Sequence, residues 1–179
     1  MRRLSVVLIL LLAALSACKG GEPSYTVLRK GGWRGRPPEP RGEVILTLIT
    51  PDGKSYDLDR AGLARLTWVR RVTRYHPEEK GPPASFEGVL LSQIISELGI
   101  AEKGLRVRFS ALDDYQLERP WSQLKPYEPI LALRQDGKPL TMDNYGPLRV
   151  ILPYERLKPD PTEYNALWVW QLRRIYFHY

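Results

Sequence analysis

Cysteine occurs once in these 179 residues, at Cys18, and histidine only twice, at His76 and His178. A single thiol excludes an intrachain disulfide and a thiolate zinc site. Two histidines far apart in the chain form no paired metal motif. There is no Gly-x-Ser-x-Gly elbow, no glycine loop of the kind that cradles phosphate, and no internal repeat. Long apolar runs are also missing. The one run of any length, Leu4 to Leu15, follows Arg2 and Arg3 and ends in small residues. It is too short and wrongly flanked for a membrane span and reads as a secretory leader. Basic residues outnumber acidic ones, 27 to 20, but no basic stretch is dense enough to point to nucleic acid.

What is present begins with Leu15-Ser16-Ala17-Cys18, which has the form of a bacterial lipobox. Residues 1–17 are then a lipoprotein signal peptide, and Cys18 is the acylated first residue of the mature chain, leaving no thiol to act as a nucleophile. Several acyl chains on one residue anchor a protein far better than one. An ordinary cleaved leader with an incidental cysteine is the alternative. The expected location is therefore the periplasmic face of a bacterial envelope membrane, with Lys19 favouring the outer membrane slightly. Loss of Arg2 and Arg3 leaves 25 basic and 20 acidic residues, a surplus suited to anionic lipid or an acidic partner. Residues 18–42 are rich in Gly, Pro, Arg and Glu and read as a flexible tether, with Trp33 the one residue expected to dock on the domain. Residues 43–179 are long enough for one domain with a single core.

Within that domain, Glu43 to Thr50 is β-branched and predicts a strand, and Pro51-Asp52-Gly53 turns it into a short return strand through Leu58. Asp59 is placed to cap a short helix. Thr67 to Tyr75 predicts a strand with its arginines on the wet face. His76 lies in a polar loop beside Glu78 and Glu79 and reads as part of a solvated charge run rather than a metal site. Leu91, Ile94, Ile95 and Leu98 follow helical spacing, and Gly99 stops the helix. Leu105 to Ser110 is a strand that breaks at Ala111-Leu112-Asp113-Asp114-Tyr115 and resumes at Gln116. Pro120 to Leu124 is a single helical turn, and Asp136-Gly137 marks a hairpin. Short strands with a few short helices give a mixed α+β domain.

The chemistry-bearing residues cluster late. Gly146 to Ile175 holds two apolar strands separated by a polar, proline-rich excursion, a composition typical of loops that build or close a site. Trp168 and Trp170 are taken to share a strand face at period two. Tyr115 and Tyr154 flank turns, Arg149 sits in a strand, and Asp114 stands beside Tyr115. Aromatic faces stack on planar rings, a carboxylate accepts paired N–H donors, and a guanidinium holds ring oxygens. The structural alternative is that both tryptophans are core, Arg149 pairs with an acid and Asp114 caps a turn.

Five motifs, Phe86-Glu87-Gly88-Val89-Leu90-Leu91-Ser92, Ala111-Leu112-Asp113-Asp114-Tyr115, Asp136-Gly137-Lys138-Pro139-Leu140, Gly146-Pro147-Leu148-Arg149 with Pro153, and Leu172-Arg173-Arg174-Ile175, fall in the order and spacing of the sulfite-oxidase-type molybdopterin-binding domain, which this chain resembles from about Phe86 to Phe177. The resemblance implies a mixed α+β fold. Enzymes of that family ligate molybdenum through a cysteine upstream of the Phe86-Glu87-Gly88 segment. Residues Val72 to Ser85 contain none. Where the catalytic pattern has Lys-Trp, this chain has Trp170-Gln171.

With Pro153-Tyr154 and Val169-Trp170-Gln171-Leu172, the chain is more similar to small periplasmic members that lack the cysteine and bind a free reduced pterin. Some of those pass ligand state to the periplasmic domain of a membrane-bound cyclic-di-GMP enzyme. The resemblance thus implies a non-catalytic lipoprotein with a reduced pterin as ligand, no molybdenum cofactor, and a membrane-bound signalling protein as partner. Tyr115 and Trp170 would wall the ring, Asp114 would receive its N–H edge, and Arg149 and Tyr154 would bind its oxygens. The rival expectations are a molybdopterin oxidoreductase with a non-cysteine ligand, and an interaction lipoprotein whose pocket has degenerated.

Overall fold

Alternation of apolar and polar residues carries most strands to where the spacing predicts them. The computed structural model describes residues 24–33, 35–74, 82–154 and 165–179. The expectations for the leader, Cys18 and Lys19, for His76 and its acidic neighbours, and for the excursion after Tyr154 lie outside the described residues. In chain order the elements are β1 (Thr26–Arg29), β2 (Leu46–Ile49), β3 (Ser55–Leu58), α1 (Arg60–Leu63), β4 (Trp68–Thr73), β5 (Ala84–Leu90), α2 (Leu91–Glu97), β6 (Arg106–Ala111), β7 (Gln116–Pro120), α3 (Trp121–Leu124), β8 (Ile130–Gln135), β9 (Lys138–Pro139), β10 (Arg149–Ile151) and β11 (Leu172–His178). Short 3-10 turns occupy Lys125–Tyr127 and Met142–Asn144. No described helix is long and apolar enough to cross a membrane.

The strands form two sheets. One runs β1-β4-β5-β8-β10 with β9 added to β8, and the other runs β3-β2-β11-β6-β7. Only the β11–β2 pair is parallel among these pairings. Inward residues of both sheets, among them Leu46, Leu48, Phe86, Val89, Phe109, Ile175 and Phe177, meet in one apolar core. The mixed α+β architecture is as expected.

Three motifs have clear backbone reasons. Gly88 sits at an irregularity between β5 and β8, and a Cβ there would lie 2.0 Å from the Leu131 carbonyl oxygen, so only glycine lets these strands approach. In β11 a register shift between Leu172 and Arg174 turns both Leu172 and Ile175 inward while Arg173 and Arg174 stay exposed. The Asp136-Gly137 turn has φ of 49° and 75°, the left-handed pair that a tight hairpin requires.

The tether expected over 18–42 does not describe residues 24–33 and 35–42. β1 pairs with β4, and Trp33 is buried with its indole N–H donating to the Gly62 carbonyl at 2.9 Å. The Trp33 amide donates to the Glu97 carboxylate at 2.9 Å. Composition misled because Gly31 serves packing rather than flexibility: a Cβ on it would meet the Arg65 carbonyl oxygen at 2.1 Å. Further on, the Asp59 carboxylate caps α1 by accepting from Gly62 N–H at 2.6 Å and also accepts from the amides of Arg41 and Gly42. These bonds hold its carboxyl below the usual range.

A second correction concerns β4. Arg70 is on the wet face and pairs with Glu87 at 2.9 Å, but Arg71 points inward and is buried. Its guanidinium donates to the Ile151 carbonyl at 2.9 Å, the Glu128 carbonyl at 2.9 Å and Ser24. A buried cation is tolerated when its donors are met this fully. Arg71 thereby ties β10 to the point where the chain enters the fold.

Candidate functional site

The β6–β7 hairpin turns on two aspartates. Asp113 Oδ1 accepts from the Tyr115 amide at 3.1 Å, and Asp114 takes φ 65°, a conformation aspartate tolerates because its short side chain interacts locally. Both aspartates lie in the turn, where the sequence placed the break between the strands. Across from it, the Tyr115 hydroxyl donates to the Ala166 carbonyl at 2.9 Å, which pins the phenol ring against the 165–167 turn.

Trp168 and Trp170 do not share a strand face. Both precede β11 in irregular backbone, Trp168 is 6% exposed and Trp170 is 41% exposed. Trp168 stands edge-on to Phe86, with centroids 6.5 Å apart, and Trp170 lies on Tyr145 at 4.6 Å. Gln171 joins the two sides of this region through its backbone. Its N–H donates to the Tyr145 carbonyl at 3.0 Å and its carbonyl accepts from Leu112 N–H at 3.0 Å, at a φ of 47°.

These pieces enclose an open cavity of about 270 Å³ lined by Ala111, Asp113, Tyr115, Asn165, Trp168 and Trp170. Two indoles and a phenol supply the walls. One carboxylate and one amide supply the polar edge. Among the described residues there is no group of three His, Cys, Asp or Glu placed to hold a metal ion.

Of the five expected site residues, Tyr115 and Trp170 line this cavity. Asp114 does not, being exposed at the turn, and its neighbour Asp113 takes that place. Arg149 is buried in β10, donates to the Gln135 side-chain oxygen at 2.9 Å and lies 5.1 Å from the centre of the Tyr145 ring. Arg149, Tyr145 and Trp170 thus form a column, and the guanidinium supports the wall of the cavity from behind. Tyr154 is half-buried just past the end of β10, where its amide donates to Thr73 Oγ1 at 3.0 Å, and it does not line this cavity. Sequence reasoning missed Tyr145 and Asn165. Thr141 and Asn144 form a capping box that fixes the turn presenting Tyr145, and that four-residue spacing is the signal that could have found it.

The profile of the oxidoreductase molybdopterin binding domain matches residues 67–156. The chain belongs to this family. The match spans half of the chain and carries Arg149 and the turn holding Asp113 and Tyr115. Among solved structures the chain is similar to the sulfane dehydrogenase SoxCD from Paracoccus pantotrophus, with a TM-score of 0.56 and 15% identity. The likeness covers 74% of this chain and 37% of that one, and at such identity it shows the fold alone. No curated protein matches the chain by sequence.

Proposed function

We propose that this chain is a pterin-binding, non-catalytic member of the molybdopterin-binding family, anchored by acylated Cys18 on the periplasmic side of a bacterial membrane. The observation that carries the reading is the cavity's chemistry: aromatic faces of Tyr115, Trp168 and Trp170 around a single carboxylate, Asp113. A flat ring slides between aromatic walls, and an aminopyrimidine edge donates two N–H groups to one carboxylate. The donor set fits the pterin part of the family cofactor. The cavity lining holds no cysteine, which speaks against molybdenum held by a thiolate there. The ring is bound rather than transformed, and occupancy is read by a partner, the periplasmic domain of a membrane-bound signalling protein.

Titration of the purified chain with a reduced pterin, followed by tryptophan fluorescence, tests this. Trp170→Ala and Asp113→Ala are expected to weaken binding at least tenfold, about 1.4 kcal/mol each, while Asp114→Ala leaves it unchanged. Wild-type affinity in both cavity variants would remove the site. Stoichiometric molybdenum in protein from the periplasm would replace the reading with an oxidoreductase.

A further inference from the structure

A basic face lies apart from the cavity. Arg29, Lys30 and Arg65 border one broad depression of about 710 Å³, and Arg29, Arg60 and Arg134 border a second of about 380 Å³ whose floor includes Trp68 and Leu133. Arg29 borders both, so the two depressions adjoin. Arg29 and Arg60 are held in place by backbone carbonyls, Arg29 by Ala64 and Leu66 and Arg60 by Leu140 and Leu133. Lys30, Arg65 and Arg134 are exposed and make no ion pair among the described residues. The nearby carboxylates are otherwise engaged, Glu97 by the Trp33 amide and Glu87 by Arg70. On the same sheet edge, Val27 is 46% exposed and Leu28 is 41% exposed.

We propose that this face rests on the surface of an anionic lipid bilayer. Five cations without acidic partners beside two exposed aliphatic side chains match a surface of lipid phosphates over an apolar interior. Position selects the bilayer over other polyanions. The chain enters the fold at Ser24, which the Arg71 guanidinium and the Glu128 carboxylate hold. If Cys18 carries the acyl anchor, the eight residue steps to Thr26 at 3.3–3.6 Å hold the start of β1 within roughly 30 Å of the membrane. The inference goes beyond the pterin reading, does not need a bound pterin, and rests on the Cys18 anchor only for the choice of a bilayer.

The test uses the chain from residue 18 onward with Cys18→Ser, so that no acyl group holds it and every described element remains. Sedimentation is measured with vesicles of phosphatidylcholine alone and of phosphatidylcholine with phosphatidylglycerol. Binding is expected only with phosphatidylglycerol, and it should weaken as salt shortens the Debye length from about 10 Å to about 3 Å. Each exposed basic side chain contributes about fivefold. The triple variant Lys30→Ala, Arg65→Ala, Arg134→Ala should therefore bind on the order of a hundredfold more weakly. These side chains make no hydrogen bond among the described residues, so the fold is kept, which circular dichroism checks. A charge-matched control, Lys103→Ala, Arg173→Ala, Arg174→Ala, removes three exposed cations elsewhere and should change binding little. Absence of binding to anionic vesicles, or equal losses in both triples, would overturn the proposal. Displacement by inorganic phosphate at constant ionic strength would also overturn it, in favour of a small-anion site.

Discussion

Replacing Trp33 by alanine asks whether the segment before residue 43 is part of the fold. The indole is 7% exposed, packs in the core cluster and donates to the Gly62 carbonyl at 2.9 Å. Truncating a buried tryptophan costs about 3–5 kcal/mol, since little can collapse into the space it leaves. In a domain of this size each kcal/mol lowers Tm by about 2–4 °C, so the midpoint should fall on the order of 10 °C. Trp33→Phe separates the contributions. The ring is largely kept and the hydrogen bond is lost, for about 1 kcal/mol. Urea unfolding followed by circular dichroism gives both values, and an unchanged slope shows that the same surface is exposed in each variant. A loss below about 1 kcal/mol for Trp33→Ala would mean that residues 24–42 contribute little, and the tether reading would stand after all.

The two late tryptophans should separate in stability measurements. Trp168→Ala is expected to cost about 3–5 kcal/mol, whereas Trp170→Ala loses mainly its contact with Tyr145, about 0.5–1.5 kcal/mol; equal losses would contradict their different burial. Gly88→Ala drives a methyl group onto the Leu131 carbonyl and should prevent folding, while Gly53→Ala, in open space at φ 79°, should cost about 1–2 kcal/mol; soluble, stable Gly88→Ala protein would refute the close approach. Glu118 accepts from Arg106 at 2.7 Å and Arg108 at 3.0 Å and lies near His178. These partners, Arg106 foremost, lower its carboxyl from 4.5 to about 2. A depressed carboxyl stabilises the fold above its unfolded value, so the contribution is present above about pH 4.5 and disappears as pH falls toward 2. Glu118→Gln should remove that part of the acid sensitivity, and an identical acid profile would show that the cluster is not coupled to folding.

Local chemistry made much of the fold legible. The α2 periodicity with Gly99, the Asp59 cap, the Asp136-Gly137 hairpin and the broken β6–β7 strand all depend on neighbours within a few residues, and each is found where the pattern placed it. The errors arose where side chains meet across long separations. Glycine and proline between 24 and 42 signalled flexibility, yet Gly31 and Trp33 meet residues 29 to 64 positions away. Charge put Arg71 on the wet face with Arg70 although strand alternation sets the two on opposite faces, and the carbonyls of Ser24, Glu128 and Ile151 that receive it come from three distant stretches.

The cavity divides in the same way. Residue type and order pointed to Tyr115, Trp170 and Asp114, because aromatic walls and a carboxylate are what a flat nitrogen-rich ring requires, and it is Asp113 that lines the cavity. Which aspartate faces the cavity was decided by the left-handed backbone at Asp114. That Arg149 stands behind Tyr145, that the Tyr154 amide meets Thr73 and that Trp168 is walled in by Phe86 depended on packing between residues far apart in the chain. The sequence alone determined the chemistry available, since composition and motif order are written in it. Only the tertiary structure decided which groups share one space, because burial and facing are set by the packing of the two sheets.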